Sequence, residues 1–291
     1  MHLIAIIVAL WLHGRVDGHL PWRDEQRQLR ALGGLQERIE EWRVWDGAVG
    51  LAVVVLPPVL IVGVVQLWLG DALLGLVELV LGLGLLLWAL GEGRVDAALK
   101  RMARALAAGQ REEAAREAGQ LAPGTVVADD PTPQTRNALA GAFQRAGDTV
   151  FAPVFWFLLL GPVGIVLYRV SYLAWRYSAR SANPGPRFRR SADGLFLLLA
   201  WLPSRLTALS LGLAGSLGDA WRGWQLARSG DGDGHRAALQ GAGFGALRFP
   251  ERDAALDDPA YWLREGQSLL FRTLVIWLAV IAVLSLAGWV G

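Results

Sequence analysis

The chain has 291 residues, of which 54% are apolar and only 19% charged, and its mean hydropathy is +0.36. Soluble domains carry about 25% charged residues, so these values exclude an ordinary soluble domain and point to a polytopic membrane protein. A net charge of +2 gives no basis for nucleic acid as the main partner, and the absence of cysteine excludes disulfides, thiolate metal sites and cysteine nucleophiles.

His2, His13, His19 and His235 are scattered and suggest no metal cluster, so no metal and no other cofactor is expected. The 14 tryptophans suit belts at the membrane interfaces. His2 to Leu12 is apolar, but at roughly 1.5 Å per residue it falls short of a ~30 Å hydrocarbon core. No basic residue precedes it and no small-residue cleavage site follows. It therefore reads as an uncleaved helix lying against the bundle, with a signal peptide as the alternative. Asp24 to Trp45 places an apolar residue every three or four positions among Arg and Glu. That pattern predicts an amphipathic surface helix, weakened at Gly33-Gly34.

Gly47 to Leu69 and Ala72 to Leu90 are two apolar spans separated by Gly70-Asp71, which predicts a tight antiparallel hairpin. Pro57-Pro58 should kink the first span. Glu78 lies inside the second, where a carboxylate is costly and normally faces the bundle interior or water. Residues 94–149 form a soluble helical insert: Arg94 to Leu121 as two helices broken at Gly109, an Asp- and Pro-rich loop from Val126 to Pro133, and a helix from Thr135 to Asp148. Three apolar blocks remain: residues 150–175, interrupted by Gly161-Pro162-Val163-Gly164; residues 194–217, interrupted by Pro203; and residues 269–290. The expected architecture is a single all-α domain, a polytopic membrane helical bundle with re-entrant or broken helices and cytoplasmic amphipathic helices.

Every long polar segment is rich in arginine, whereas Gly70-Asp71 carries none. Arg and Lys bias short loops towards the cytoplasm. If the blocks at 150–175 and 194–217 fold back, near Gly161 to Gly164 and near Leu202 to Arg205, all Arg-rich segments share the cytoplasmic side of a bacterial inner membrane. If both blocks are ordinary kinked spans, they do not. Free backbone groups are not tolerated in lipid, so folded-back turns must be buried or line a wet cavity. The fold-back reading thus implies a cytoplasm-facing pocket for an anionic small molecule. Its candidate lining residues are Arg169, Arg205, Asp148, Asp193, Glu78 and Asn137. The plainer readings are an interfacial Arg169, a structural ion pair for Arg205 with Glu78, Asp148 or Asp193, and helix caps at Asp148, Asp193 and Asn137. "GDGDGH" (Gly230 to His235) reads as a flexible linker, since a calcium loop needs a later Glu and flanking helices.

The order of these features, through "NALAGAFQRAGDTVFAPVFWFLLLGPVGIVLYRVSYLAW" and "ADGLFLLLAWLPSRLTAL", with "VFAPVFWFLLLGPVGIVLYR" and "WLPSRLTAL" as the most specific parts, resembles the AmpE family, the regulatory signalling modulators linked to β-lactamase induction. More distantly, the chain is similar to the adenosylcobinamide-phosphate synthases of cobalamin biosynthesis. Those synthases carry a Glu and then Glu-Asn shortly before the Asp that matches Asp148, and an Asn and an Asp after the match to Tyr168-Arg169. Here Ala140, Gln144, Arg145, Tyr172 and Trp175 stand at those positions. A nucleotide- and metal-handling, amide-forming ligase needs carboxylates or amides there. The resemblance therefore implies a regulator or sensor of β-lactamase induction or a cell-envelope response, more a binding protein than an enzyme. The bilayer, an anionic ligand and a protein bound to the amphipathic helices are its expected partners. Two alternatives stand beside it: a ligase-like membrane enzyme related to the synthases with an altered substrate, and a transporter of a cell-wall or nucleotide-like metabolite.

Overall fold

A computed structural model of the chain describes residues 2–15, 24–39, 47–69, 76–91, 94–123, 130–181, 185–229, 234–250 and 255–287. In chain order the elements are α1 (His2–Arg15), α2 (Glu25–Ile39), α3 (Gly47–Leu69), α4 (Leu76–Leu90), α5 (Val95–Ala107), α6 (Arg111–Leu121), α7 (Pro131–Ala146), a first π turn (Gly147–Phe151), α8 (Ala152–Arg180), α9 (Pro186–Ala214), α10 (Leu217–Arg228), α11 (Gly234–Arg236), a second π turn (Ala237–Gly241), α12 (Ala242–Leu247) and α13 (Pro259–Leu286). No strand occurs among the described residues. Four helical stretches there are long and apolar enough to cross a membrane: Gly47–Trp68, Pro131–Arg180, Pro186–Ala214 and Pro259–Leu286. The chain is an all-α membrane helical bundle. Leu60, Leu67 and Trp68 on α3 and Val283 and Leu286 on α13 are exposed, as lipid-facing side chains must be.

The chain divides into two compact units. The first comprises residues 1–92, 152–201 and 281–291. Leu51, Val54 and Val55 of α3 pack on Val166, Val170, Ala174 and Tyr177 of α8 and on Phe188 and Ala192 of α9. Leu29, Leu32 and Leu35 of α2 close over this core. The helix weakening expected at Gly33-Gly34 does not occur. α2 runs through both glycines, and Gly33 packs against the Tyr177 ring. Pro57 and Pro58 are likewise accommodated inside α3.

Two interrupted blocks behave differently. At Gly161, φ is 63° and ψ −147°, a conformation open only to glycine, and Pro162 starts the next helical stretch. The chain turns back so sharply that a Cβ on Gly164 would collide with the Trp156 carbonyl, eight residues earlier. In a straight helix those residues would be about 12 Å apart. At Pro203 the expected fold-back is absent: α9 is one helix from Pro186 to Ala214. The reason is a contact from α8. Proline removes the N–H that would bond the carbonyl four residues earlier, which is that of Leu199. The Trp156 indole Nε1 donates to that carbonyl instead, at 3.0 Å. With its orphan acceptor satisfied, the helix has no cause to break.

The second unit comprises residues 93–151 and 202–280. α5 and α6 form a hairpin across Gly109 (φ 71°), closed by Ala98, Leu99, Met102, Ala114 and Ala118 and by an Arg101–Glu117 ion pair at 2.7 Å. Asp130 caps α7 by accepting from the Thr132 N–H at 2.8 Å, which holds its carboxyl below the usual range. α10 lies backbone-to-backbone on the second π turn and α12. A Cβ on Gly223 would strike the Gly241 carbonyl, and one on Gly245 the Asp219 carbonyl. Asp219, at the start of α10, accepts from the Ser216 hydroxyl at 2.5 Å and from Arg248 at 2.8 Å, which lowers its pKa. The contribution of this carboxylate to the junction is therefore present at neutral pH and fades as pH falls below the ordinary carboxylate range.

The glycine contacts predict a contrast. Gly245→Ala forces two helix backbones apart and should destabilise the fold by about 1–3 kcal/mol. Gly119→Ala, on α6 with nothing within 4 Å of its Cβ position, should be neutral or stabilise by up to ~1 kcal/mol. Thermal melts of both variants in detergent check this.

Candidate functional site

Asp148 lies in the first π turn, not at a helix start, so the cap expected there is not what it forms. Its Oδ1 is 2.6 Å from His235 Nε2, and each side chain is only 5% exposed. The π turn makes the placement. One extra residue is looped into the helix, and the Thr149 hydroxyl donates to the Arg145 carbonyl at 2.8 Å. Such turns inside α-helices recur at functional sites. His235 stands two residues before the second π turn. Gly147 lets the two turns meet, since a Cβ there would come within 2.5 Å of a Leu239 methyl. One helical turn before Asp148, Gln144 accepts from Gln240 Nε2 at 3.3 Å across the same seam.

An ionised carboxylate only accepts hydrogen bonds, so opposite an ionised Asp148 it is His235 Nε2 that carries the bonding proton. Nδ1 is also buried. A buried carboxylate bonded to an imidazole can orient the ring, hold its tautomer and stabilise an imidazolium. Among the sequence candidates only Asp148 belongs to this pair. His235 was missed because it ends the Gly- and Asp-rich run read as a linker. Residues 230–233 of that run lie outside the described residues, but His235 itself is packed and paired.

The other candidates lie elsewhere. Arg169, expected at the interface or in a pocket, is among the most deeply buried side chains. Its Nη2 donates to Gln28 Oε1 at 3.0 Å, and its guanidinium lies 5.4 Å from the Tyr172 ring centroid and 5.9 Å from that of Trp88. Beside it Arg176 grips Glu25 through Nε at 3.0 Å and Nη2 at 2.8 Å, and Tyr177 donates to Gln36 at 2.5 Å. In this first unit, then, Arg169 helps to dock α2 onto α8. Arg205 is half-buried in the helix after Pro203, and Asp148 is not its partner. Asp193 is half-buried within α9 rather than capping it. Asn137 is exposed in the middle of α7, whose cap is Asp130. Glu78 is in α4, and its side chain lies outside the described residues.

The positions where the synthases carry acids and amides hold other chemistry. Trp175 stacks on Phe196 with ring centroids 4.3 Å apart and planes 16° apart, and Tyr172 packs edge-on against the same Phe196 at 5.8 Å. Arg145 bonds the Gln120 carbonyl, and Ala140 offers no polar atom. A divalent metal held by carboxylate oxygens does not fit these five residues. Among the described residues, no three His, Asp or Glu side chains gather closely enough to hold a metal ion.

The model of the CobD/Cbib protein family matches residues 26–242. A "Cobalamin biosynthesis protein CobD" of Chromobacterium violaceum is 31% identical over 180 residues, 60% of this chain and 56% of that protein. A protein of the same name from Stutzerimonas stutzeri is 30% identical over 239 residues, 75% of this chain and 73% of that protein. No solved structure matches the chain significantly. These relatives overturn the expectation of an AmpE-type regulator of β-lactamase induction and favour the synthase-related alternative. The matched stretch contains α2 to α11 and both partners of the Asp148–His235 pair, and the chain belongs to the CobD/Cbib protein family.

Proposed function

We propose that this protein is a ligase-like enzyme of a bacterial inner membrane, related to the adenosylcobinamide-phosphate synthases but acting on a different substrate. Its reaction class is amide formation between an amine and an activated acyl group. The observation that carries the reading is the buried Asp148–His235 pair at 2.6 Å in a member of the CobD/Cbib family. Asp148 matches an aspartate of the synthases, whereas five other acid or amide positions are replaced, and this supports kinship of scaffold with a change of substrate.

The chemistry asks for one thing that these residues can supply. An amine attacks an acyl carbon only as the free base; as the C–N bond forms, the bond to the activating group breaks and phosphate derived from the nucleotide leaves, and the nitrogen must lose a proton. An imidazole is suited to accept it. Asp148 orients the ring through its bond to Nε2 and offsets the positive charge that forms when the imidazole takes the substrate proton. Burial strengthens that electrostatic support. No step is assigned to a metal, because the residues at the synthase positions do not fit one.

The test is turnover by protein purified into lipid nanodiscs, supplied with nucleotide triphosphate, a panel of carboxylic acids and a panel of small amines. Amide product is expected. Its absence across the panel, with folded protein, counts against the enzyme reading. Asp148→Asn should lower turnover roughly 10²–10⁴-fold. His235→Ala should lower it about as much, and the double variant no further, because the two residues act as one unit. Additive losses in the double variant would mean that they act separately.

A further inference from the structure

We propose that α10 lies in the interface of the phospholipid bilayer, with its Leu217–Trp221 edge among the acyl chains and Arg222 and Arg228 at the headgroup phosphates. The first observation is an exposed apolar stripe on the second half of α9. Leu202, Leu206, Leu209 and Leu213 recur at helical spacing, and every one is exposed. α9 is long and apolar enough to span the membrane, so this stripe faces lipid. Across the bend at Gly215-Ser216 the stripe continues onto Leu217 (48% exposed) and Trp221 (54% exposed) of α10.

The second observation concerns the opposite face. Ala220 is buried, and Gly223 is seated against Gly241 and Gly245 with no room for a methyl group. α10 therefore has no freedom to roll its exposed edge into the protein. Trp221 also holds Trp224 edge-on at 5.3 Å, a tryptophan pair of the kind that settles at headgroup depth.

Length and charge then choose between crossing the bilayer and lying in it. Twelve residues extend about 18 Å, too short for the hydrocarbon core. Arg222 and Arg228 are exposed, and Arg222 is 2.6 Å from Asp219. An apolar edge flanked by arginines, on a short helix that starts where a spanning helix ends, fits the plane of the interface. The long arginine side chains reach the phosphates while their stems stay in apolar surroundings.

The absence of cysteine from the chain makes the test direct. Full-length protein carrying one nitroxide-labelled cysteine, at Trp221 or at Leu226, is reconstituted into phosphatidylethanolamine–phosphatidylglycerol vesicles, and label relaxation by oxygen and by a water-soluble nickel complex is compared. Both positions are exposed, and five residues of helix set them about 140° apart around the axis. The label at 221 should respond to oxygen far more than to nickel, and the label at 226 should show the reverse. Leu217→Cys serves in place of Trp221→Cys if that variant does not fold, and should behave in the same way. Nickel access at 221 equal to that at 226 would mean that the edge faces water and would overturn the proposal. So would an immobile 221 label whose dipolar broadening disappears on dilution with unlabelled protein, because a second copy would then cover the face.

Discussion

A carboxylate removed from water is tolerated only beside a partner that offsets its charge, and Asp148 has one such partner in His235. Much of the second unit serves that requirement. The helix from α7 admits an extra residue at Gly147–Phe151, which aims the carboxylate at His235. The chain after α11 does the same at Ala237–Gly241, and Gly147 removes the side chain that would keep the two turns apart. π turns weaken a helix locally, so two of them meeting at one buried Asp–His bond is a costly arrangement. That cost is easier to understand at a site that moves protons than in a packing core, where an apolar pair of similar size would be at least as stable.

The same rule about unsatisfied polar groups explains which apolar blocks break. Pro203 and the Gly161-Pro162 pair look equally disruptive in sequence. They differ because the carbonyl orphaned by Pro203 receives the Trp156 indole N–H, whereas Gly161 adopts a backbone conformation that ends the helix outright. The donor that rescues α9 is therefore supplied from α8, the helix containing the other interruption, and no local pattern around Pro203 announces it. Arg169 follows the same logic in the first unit. Its buried guanidinium is met by Gln28 of α2 and the Trp88 ring of α4, both far away in sequence, and by the Tyr172 ring one turn along its own helix.

Legibility in the sequence followed the range of the interactions. The apolar blocks, the Gly109 break and the glycine-driven turn at Gly161 are local and were readable from hydropathy and glycine. The site was only half readable. Asp148 stood out as an acid next to an apolar block, but its role as a cap was wrong because helical structure already surrounds it. His235 gave no signal, since a histidine after Gly-Asp repeats looks like a linker until residue 148 is known to face it. The functional expectation rested on a resemblance to AmpE, and the CobD/Cbib match overturns it.

The bond between Asp148 and His235 is the most direct point at which to test this account. In protein labelled with ¹⁵N in the histidine rings, with His2, His13 and His19 replaced so that one imidazole remains, NMR reads the tautomer and the bonded proton together. The account predicts a protected Nε2 proton shifted far downfield, which disappears in Asp148→Asn. A ring in fast exchange with water, whose signals are unchanged by that substitution, would contradict it.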